Sequence, residues 1–233
     1  MSALAIAIAA LTEAIFPGRC LLCGGWLLLA SDHSIPVCSV CRDELHILRE
    51  PRCARCGIEL SSEKATCLRC HIADFAFSSN MSLFAYSGKA KDLLVGLKFE
   101  QRRRLAPFFA AHVAGLLKVS GWRGAVVPVP PRPGGRTPDA AELVARMLER
   151  CHGVRVLRTL VRAAGVQQKT LDFERRKQNL RGQVRVTQRD AVPTHAILLD
   201  DVFTTGATLD ACARALRDAG CAEVNAVTLD MEE

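Results

Sequence analysis

Apolar and polar positions divide the chain into two regimes. Behind residue 76, short apolar runs alternate with stretches of helical period. In front of it, closely spaced cysteines interrupt any such pattern. Runs at 82–86, 125–129, 154–157, 195–199 and 224–229 read as strands, because brief apolar segments bounded by turn residues suit strands buried on both faces. Between them, apolar residues recur at three and four positions. Leu93, Leu94 and Leu97 share a face in 90–99, and 105–119 continues as a helix broken at Ser120-Gly121. Ala141, Val144, Ala145 and Leu148 face inward in 138–151, and Leu209, Cys212, Ala213 and Leu216 do so in 208–219. Alternation of strands and helices predicts an α/β fold with a parallel sheet and right-handed crossovers. Its ligand should lie outside the carboxyl ends of the strands.

The first 16 residues are apolar and Ala-rich, with Leu4, Ile8, Leu11 and Ile15 on one helical face and Pro17-Gly18 ending it. A signal peptide carries positive charge ahead of its apolar stretch, whereas the first charge here is Glu13 and the first base Arg19. The expectation is an N-terminal helix over 1–16 of a cytoplasmic protein, with an exported protein as the minority alternative. A length of 233 residues gives room for one ordinary domain and a small one, and the net charge of +7 suggests anionic partners. No run approaches the roughly 20 apolar residues of a membrane helix.

Eight of the 11 cysteines form four Cys-x-x-Cys knuckles: Cys20/Cys23, Cys38/Cys41, Cys53/Cys56 and Cys67/Cys70. Each knuckle offers two thiolates to one tetrahedral ion, and Gly24 and Gly57 follow second cysteines where a zinc knuckle turns tightly. The spacing predicts two structural Zn2+ sites in a small zinc-ribbon module over 17–75. Sequential pairing is expected, with Cys20, Cys23, Cys38 and Cys41 at one site and Cys53, Cys56, Cys67 and Cys70 at the other; spacing also permits interleaving. A ribbon this short has little core, so metal would supply much of its folding energy. Eight cysteines fill two tetrahedra, so His46 and His71 are expected at the surface. Cys151, Cys212 and Cys221 are expected to pack as small apolar residues.

The chemistry-bearing stretch is AILLDDVFTTGAT at 196–208. An apolar strand, two adjacent acids, a turn of small and hydroxyl residues and then a helix make a holder for a sugar phosphate. Turn amides and hydroxyls at a helix N-terminus face an anion. Gly206 tolerates backbone angles that other residues resist, and Asp200 beside Asp201 can accept two neighbouring hydroxyls or hold a metal ion. This stretch resembles the 5-phosphoribosyl-1-pyrophosphate (PRPP) loop of type I phosphoribosyltransferases. The resemblance implies that Asp200 and Asp201 hold the ribose hydroxyls, with Mg2+, at the catalytic centre. It implies that Thr204, Thr205, Gly206, Ala207 and Thr208 hold the 5-phosphate. It also places the loop after the 125–129 strand, with Pro128, Pro130 and Pro131, against the pyrophosphate, where Arg132, Arg136 and Lys98 would supply charge.

From 155 to 189 there are ten Lys or Arg against Asp172 and Glu174. Such a stretch reads as a cover over a polyanionic ligand, a track for a nucleic-acid backbone, or a solvated face. The basic cluster Arg102, Arg103 and Arg104 reads equally as a helix end or an anion patch.

Cysteine knuckles in front and a PRPP-like loop behind together resemble the ComF family of double-zinc-ribbon, phosphoribosyltransferase-like proteins. The resemblance includes Phe16-Pro17, Cys53-x-x-Cys56-Gly57, Tyr86-Ser87-Gly88, Leu97-Lys98-Phe99, Val127-Pro128-Val129-Pro130, Gln168-x-x-Leu171, Arg176-x-x-Asn179 and the Asp200 loop. It implies a type I phosphoribosyltransferase-like domain over 76–233. It further implies binding of PRPP or a related ribose phosphate, and a part in DNA uptake during natural transformation, with single-stranded DNA and a competence helicase as partners. The alternative is an active phosphoribosyltransferase of nucleotide or sugar metabolism with no DNA role. One departure stands out: Gly135-Arg136-Thr137-Pro138-Asp139 replaces the family's usual Arg-Gly-Phe-Asn-Gln.

Overall fold

The structure is a computed structural model. It describes residues 18–27, 36–62, 64–99, 102–133, 139–162, 183–187 and 192–232. The helix expected over 1–16, the replaced motif up to Pro138 and the basic stretch from 163 to 182 lie outside these residues.

Two short helices belong to the cysteine-rich front, α1 (Ser39–Asp43) and α2 (Leu68–Ile72). The rest is strand and helix in alternation: β1 (Asn80–Ala85), α3 (Gly88–Lys98), α4 (Ala106–Ser120), β2 (Ala125–Pro128), α5 (Ala140–His152), β3 (Leu160–Arg162), β4 (Val184–Val186), β5 (His195–Phe203), α6 (Ala207–Asp218) and β6 (Glu223–Met231). β1, β6, β5 and β2 form one parallel sheet in that order. The neighbouring β3–β4 pair is antiparallel.

Core placement follows the predicted faces. Leu93, Leu94 and Leu97 of α3, Val144, Ala145 and Leu148 of α5, and Leu209, Cys212, Ala213 and Leu216 of α6 are all buried. Central strands are apolar on both sides because helices cover both faces of the sheet. α5 is capped by Asp139, whose Oδ1 accepts the Glu142 N–H at 3.2 Å. It stops at Gly153, which adopts the left-handed conformation.

Three expectations need correction. The strand carrying Asp200 does not end at Leu199 but runs to Phe203, held in register with β6 as far as Met231. The 154–157 segment meets β2 only through a single parallel bridge, Val126 to Val156, and the basic stretch contains two further strands, β3 and β4. Their alternation was hidden by Arg162 and Arg185, which read as loop residues in a basic run. Cys151 is exposed rather than packed: it lies in the last turn of α5, past Leu148, the final buried residue of the inward face. Cys212 and Cys221 are buried as expected.

The front packs directly on the sheet. Asn80 N–H donates to the Arg55 carbonyl at 2.8 Å, Ala85 N–H to the His46 carbonyl at 2.9 Å, and Ile47 bridges Phe84. At the other side, Val126 N–H donates to Arg155 and Leu157 N–H to Val126, both at 2.9 Å. A buried polar chain crosses from knuckle to sheet. Asn80 Nδ2 donates to the Cys56 carbonyl at 2.9 Å and to Ser82 Oγ at 3.1 Å, and Ser82 Oγ lies 2.6 Å from Thr228 Oγ1. Arg102 donates to the Leu21 carbonyl, so one member of the basic cluster serves this junction. Arg103 and Arg104 are exposed.

Candidate functional site: an acidic cleft beside a threonine turn and two cysteine clusters

β5 delivers Asp200 and Asp201 to the carboxyl end of the sheet, and α6 starts at Ala207, so the turn between them spans 204–206. Gly206 sits at φ 78°, and a Cβ there would lie 2.9 Å from Phe203 Cζ and 3.0 Å from Phe75 Cε1. The turn therefore rests on an aromatic floor that leaves no space beneath it. Phe75 stacks on Phe77 at 4.7 Å, and Phe77 meets Phe203 edge-on at 6.3 Å.

A cleft of about 440 Å³ opens at this end of the sheet. Of the residues expected at the ligand, Lys98, Arg132, Asp200, Asp201, Thr204 and Thr208 line it. Thr205, Gly206 and Ala207 are not among its lining residues; the Thr205 hydroxyl instead accepts the Ala207 N–H at 3.4 Å. Asp139, at the end of the replaced motif, lines it as well.

Charges are close-set. Lys98 Nζ lies 2.5 Å from Asp201 Oδ2. Asp200 Oδ1 accepts the Asp201 N–H at 2.8 Å. Burial, then repulsion from Asp201, pushes the Asp200 carboxyl up to about 7. Burial also raises Asp139.

Two charged groups escaped the sequence reading, one in the cleft wall and one buried in β6. Arg162 lines the cleft, and its buried Nε and Nη2 have no hydrogen-bond partner among the described residues. A guanidinium with two nitrogens unpaired among the described residues, at a cleft, is suited to an anion. Asp230 is fully buried, neither of its oxygens has a partner among the described residues, and burial followed by repulsion from Asp201 pushes it up to about 8. A lone acid at the end of an apolar strand was its visible signal. Arg162 carried none, because nine other basic residues surround it in sequence.

The cysteines gather in sequential pairs of knuckles. Cys20, Cys23, Cys38 and Cys41 form one group and Cys53, Cys56, Cys67 and Cys70 the other, with all sulfurs of a group within 4.8 Å of one another. Sulfurs about 2.3 Å from a central zinc ion stand about 3.8 Å apart in a tetrahedron. Cys23 and Cys38 are 3.8 Å apart and Cys56 and Cys67 are 3.7 Å apart, so the donor sets fit that ion. Backbone amides point at the sulfurs, as from Cys38 to Cys20 at 3.4 Å and from Cys67 to Cys53 at 3.3 Å. Such donors favour the thiolate over the thiol. His71 is exposed, and His46 lies 3.6 Å from Glu59, outside both groups.

Comparison with known proteins agrees with this architecture. Residues 11–71 match the double zinc ribbon domain family. Competence protein ComFC of Streptococcus pneumoniae is 27% identical over 236 residues, covering 91% of this chain and 99% of that protein. Competence protein F of Haemophilus influenzae is 26% identical over 222 residues, covering 90% of this chain and 95% of that one. The zinc ribbon match and the two four-cysteine groups support two structural zinc sites. Among the described residues no helix is long and apolar enough to cross a membrane.

Proposed function

We propose, from the premise that this chain belongs to the ComF family, that its acidic cleft binds PRPP or a related ribose phosphate and that the protein acts in the cytoplasm in DNA uptake during natural transformation. The competence role is supported by the names of both relatives. The ligand reading is carried by one observation: a single cleft collects paired acids, Thr204 and Thr208 from the two ends of the threonine turn, and the cations Lys98, Arg132 and Arg162.

In this reading Asp200 and Asp201 accept hydrogen bonds from the two ribose hydroxyls. The same carboxylates would hold Mg2+, which would supply charge neutralisation at the pyrophosphate. The fit lies in the donor set: Asp200 holds its proton up to about 7, and a dication or hydroxyl pair is a natural replacement for that proton. Thr204 and Thr208 hold the 5-phosphate at the start of α6, where the helix dipole adds favourable charge. Lys98, Arg132 and Arg162, which line the same cleft, would neutralise the pyrophosphate in this reading. If the bound molecule reacts, positioning and charge stabilisation would do most of the catalysis. Single-stranded DNA would bind through its backbone, because only Trp122, Phe173 and Phe203 follow Gly121 to stack on bases.

Calorimetry with PRPP and Mg2+ tests the ligand. Heat that disappears in Asp200→Asn/Asp201→Asn, with DNA binding intact, would support both roles. Absence of heat at millimolar PRPP would overturn the ligand reading. DNA affinity that ignores salt would overturn the DNA role.

A further inference from the structure

The phosphate turn is held from outside, by the second cysteine cluster. Arg69 lies between Cys67 and Cys70, and its Nη1 donates to the Thr204 carbonyl at 2.6 Å. We propose that Arg69 is a positioning residue for the 204–208 turn, through which zinc at Cys53, Cys56, Cys67 and Cys70 sets the affinity of the cleft for its ligand. The affinity half of this proposal rests on the ligand reading above; the positioning half does not.

Peptide geometry gives the contact its effect. The Thr204 carbonyl shares a trans peptide with the Thr205 N–H, so anchoring one fixes the direction of the other. A turn that binds an anion through amides depends on those directions.

Metal enters through α2. This helix has five residues, none of them a buried apolar anchor, and a helix that short does not persist alone. Cys67 at its N-cap and Cys70 in its middle tie it to the cluster, so the ion that gathers the four sulfurs would also place Arg69.

The segment leaving α2 then grips the helix behind the turn. Ala76 N–H donates to Asp210 Oδ1 at 2.8 Å, Arg214 Nη2 to the Asp74 carbonyl at 2.7 Å, and Arg217 Nε to the Ala76 carbonyl at 2.7 Å. Phe75, in the same segment, forms the floor under Gly206. The second cysteine cluster and the segment leaving it thus touch the turn at Thr204, at Gly206 and along α6. The first cysteine cluster, by contrast, packs with Leu21, Leu22 and Val37 against the core that contains Leu97 and Phe109.

The test uses the full chain as wild type, Arg69→Ala and Arg69→Lys, with zinc counted in each. With both ions bound and no ligand present, amide exchange at 204–208 should quicken in Arg69→Ala by at least about fivefold, the scale of one lost hydrogen bond. Arg69→Lys, which keeps a donor, should fall between. The PRPP–Mg2+ dissociation constant should rise by a similar factor. Coupling is reciprocal, so PRPP should slow chelator-driven release of one of the two zinc equivalents from the wild type. Unchanged exchange at 204–208 in Arg69→Ala overturns the proposal. So does loss of a zinc equivalent from both variants, which would make Arg69 a folding residue. Quickened exchange in a chain that binds no PRPP would sustain the positioning role and reject the ligand instead.

Discussion

Lys98 Nζ stands 2.5 Å from Asp201 Oδ2, joining the last residue of α3 to the acidic step of β5. Both residues line the cleft, and each acts on the other acids there. Lys98 is a favourable cation for Asp200 and Asp230 as well, against the mutual repulsion of the acids.

Ligand affinity should therefore follow pH. Asp200 in the free protein gives up its proton at about 7, and a ligand that needs its carboxylate binds only the ionised form. PRPP–Mg2+ affinity should rise about tenfold per pH unit below 7 and level off above 8. Lys98→Met should carry that rise to higher pH by removing a cation, and Asp200→Asn should abolish it. Calorimetry between pH 6 and 8.5 reads all three.

Stability should run the other way. Asp230 holds its proton to about 8 in the folded chain, while an unfolded aspartate loses it near 3.8. An acid whose folded value is raised contributes fully only below its unfolded value, and that contribution is lost as pH climbs through 4 to 8. Asp230→Asn should gain on the wild type over this window by more than about 1.4 kcal/mol, the worth of one pKa unit. Urea unfolding at pH 5 and pH 8 measures it. An equal difference at both pH values would mean that Asp230 ionises against Lys98 within the fold.

Gly206→Ala should unfold more easily. Left-handed backbone in a residue with a Cβ costs about 1–3 kcal/mol, and the added atom would also meet Phe203 at 2.9 Å and Phe75 at 3.0 Å. A fall of that size in urea, with PRPP binding reduced further than Lys98→Met reduces it, is the expected result.

Metal content offers an independent check. Denaturation in a zinc indicator should release two equivalents per chain, and Cys56→Ser should release one, since the two groups share no ligand. Strong chelators should disorder the front without melting the sheet, whose helices and strands carry most of the core.

Much of this was legible in sequence because local signals agreed. The faces of α5 and α6 could be read from apolar spacing alone, and the cysteine pairing matched the nearest-neighbour arrangement. The Asp200 loop declared itself through adjacent acids and threonines. Its extension as strand through Phe203 was not legible, because pairing with Asp230 and Met231 decides it. Arg69 carried no local signal either: its partner Thr204 is 135 residues away, and only packing brings them together.

The sheet has no bare margin among its described strands. β1 donates outward to the cysteine-rich front through Asn80 and Ala85, and β2 is met by 155–157. A fragment starting at residue 76 would strip that cover and leave the Asn80 and Ala85 amides of the edge strand without their partners, a template for sticking to other chains. The metal-binding front is thus also a guard against aggregation, and expression trials that delete it should yield insoluble protein even where the cleft itself is untouched.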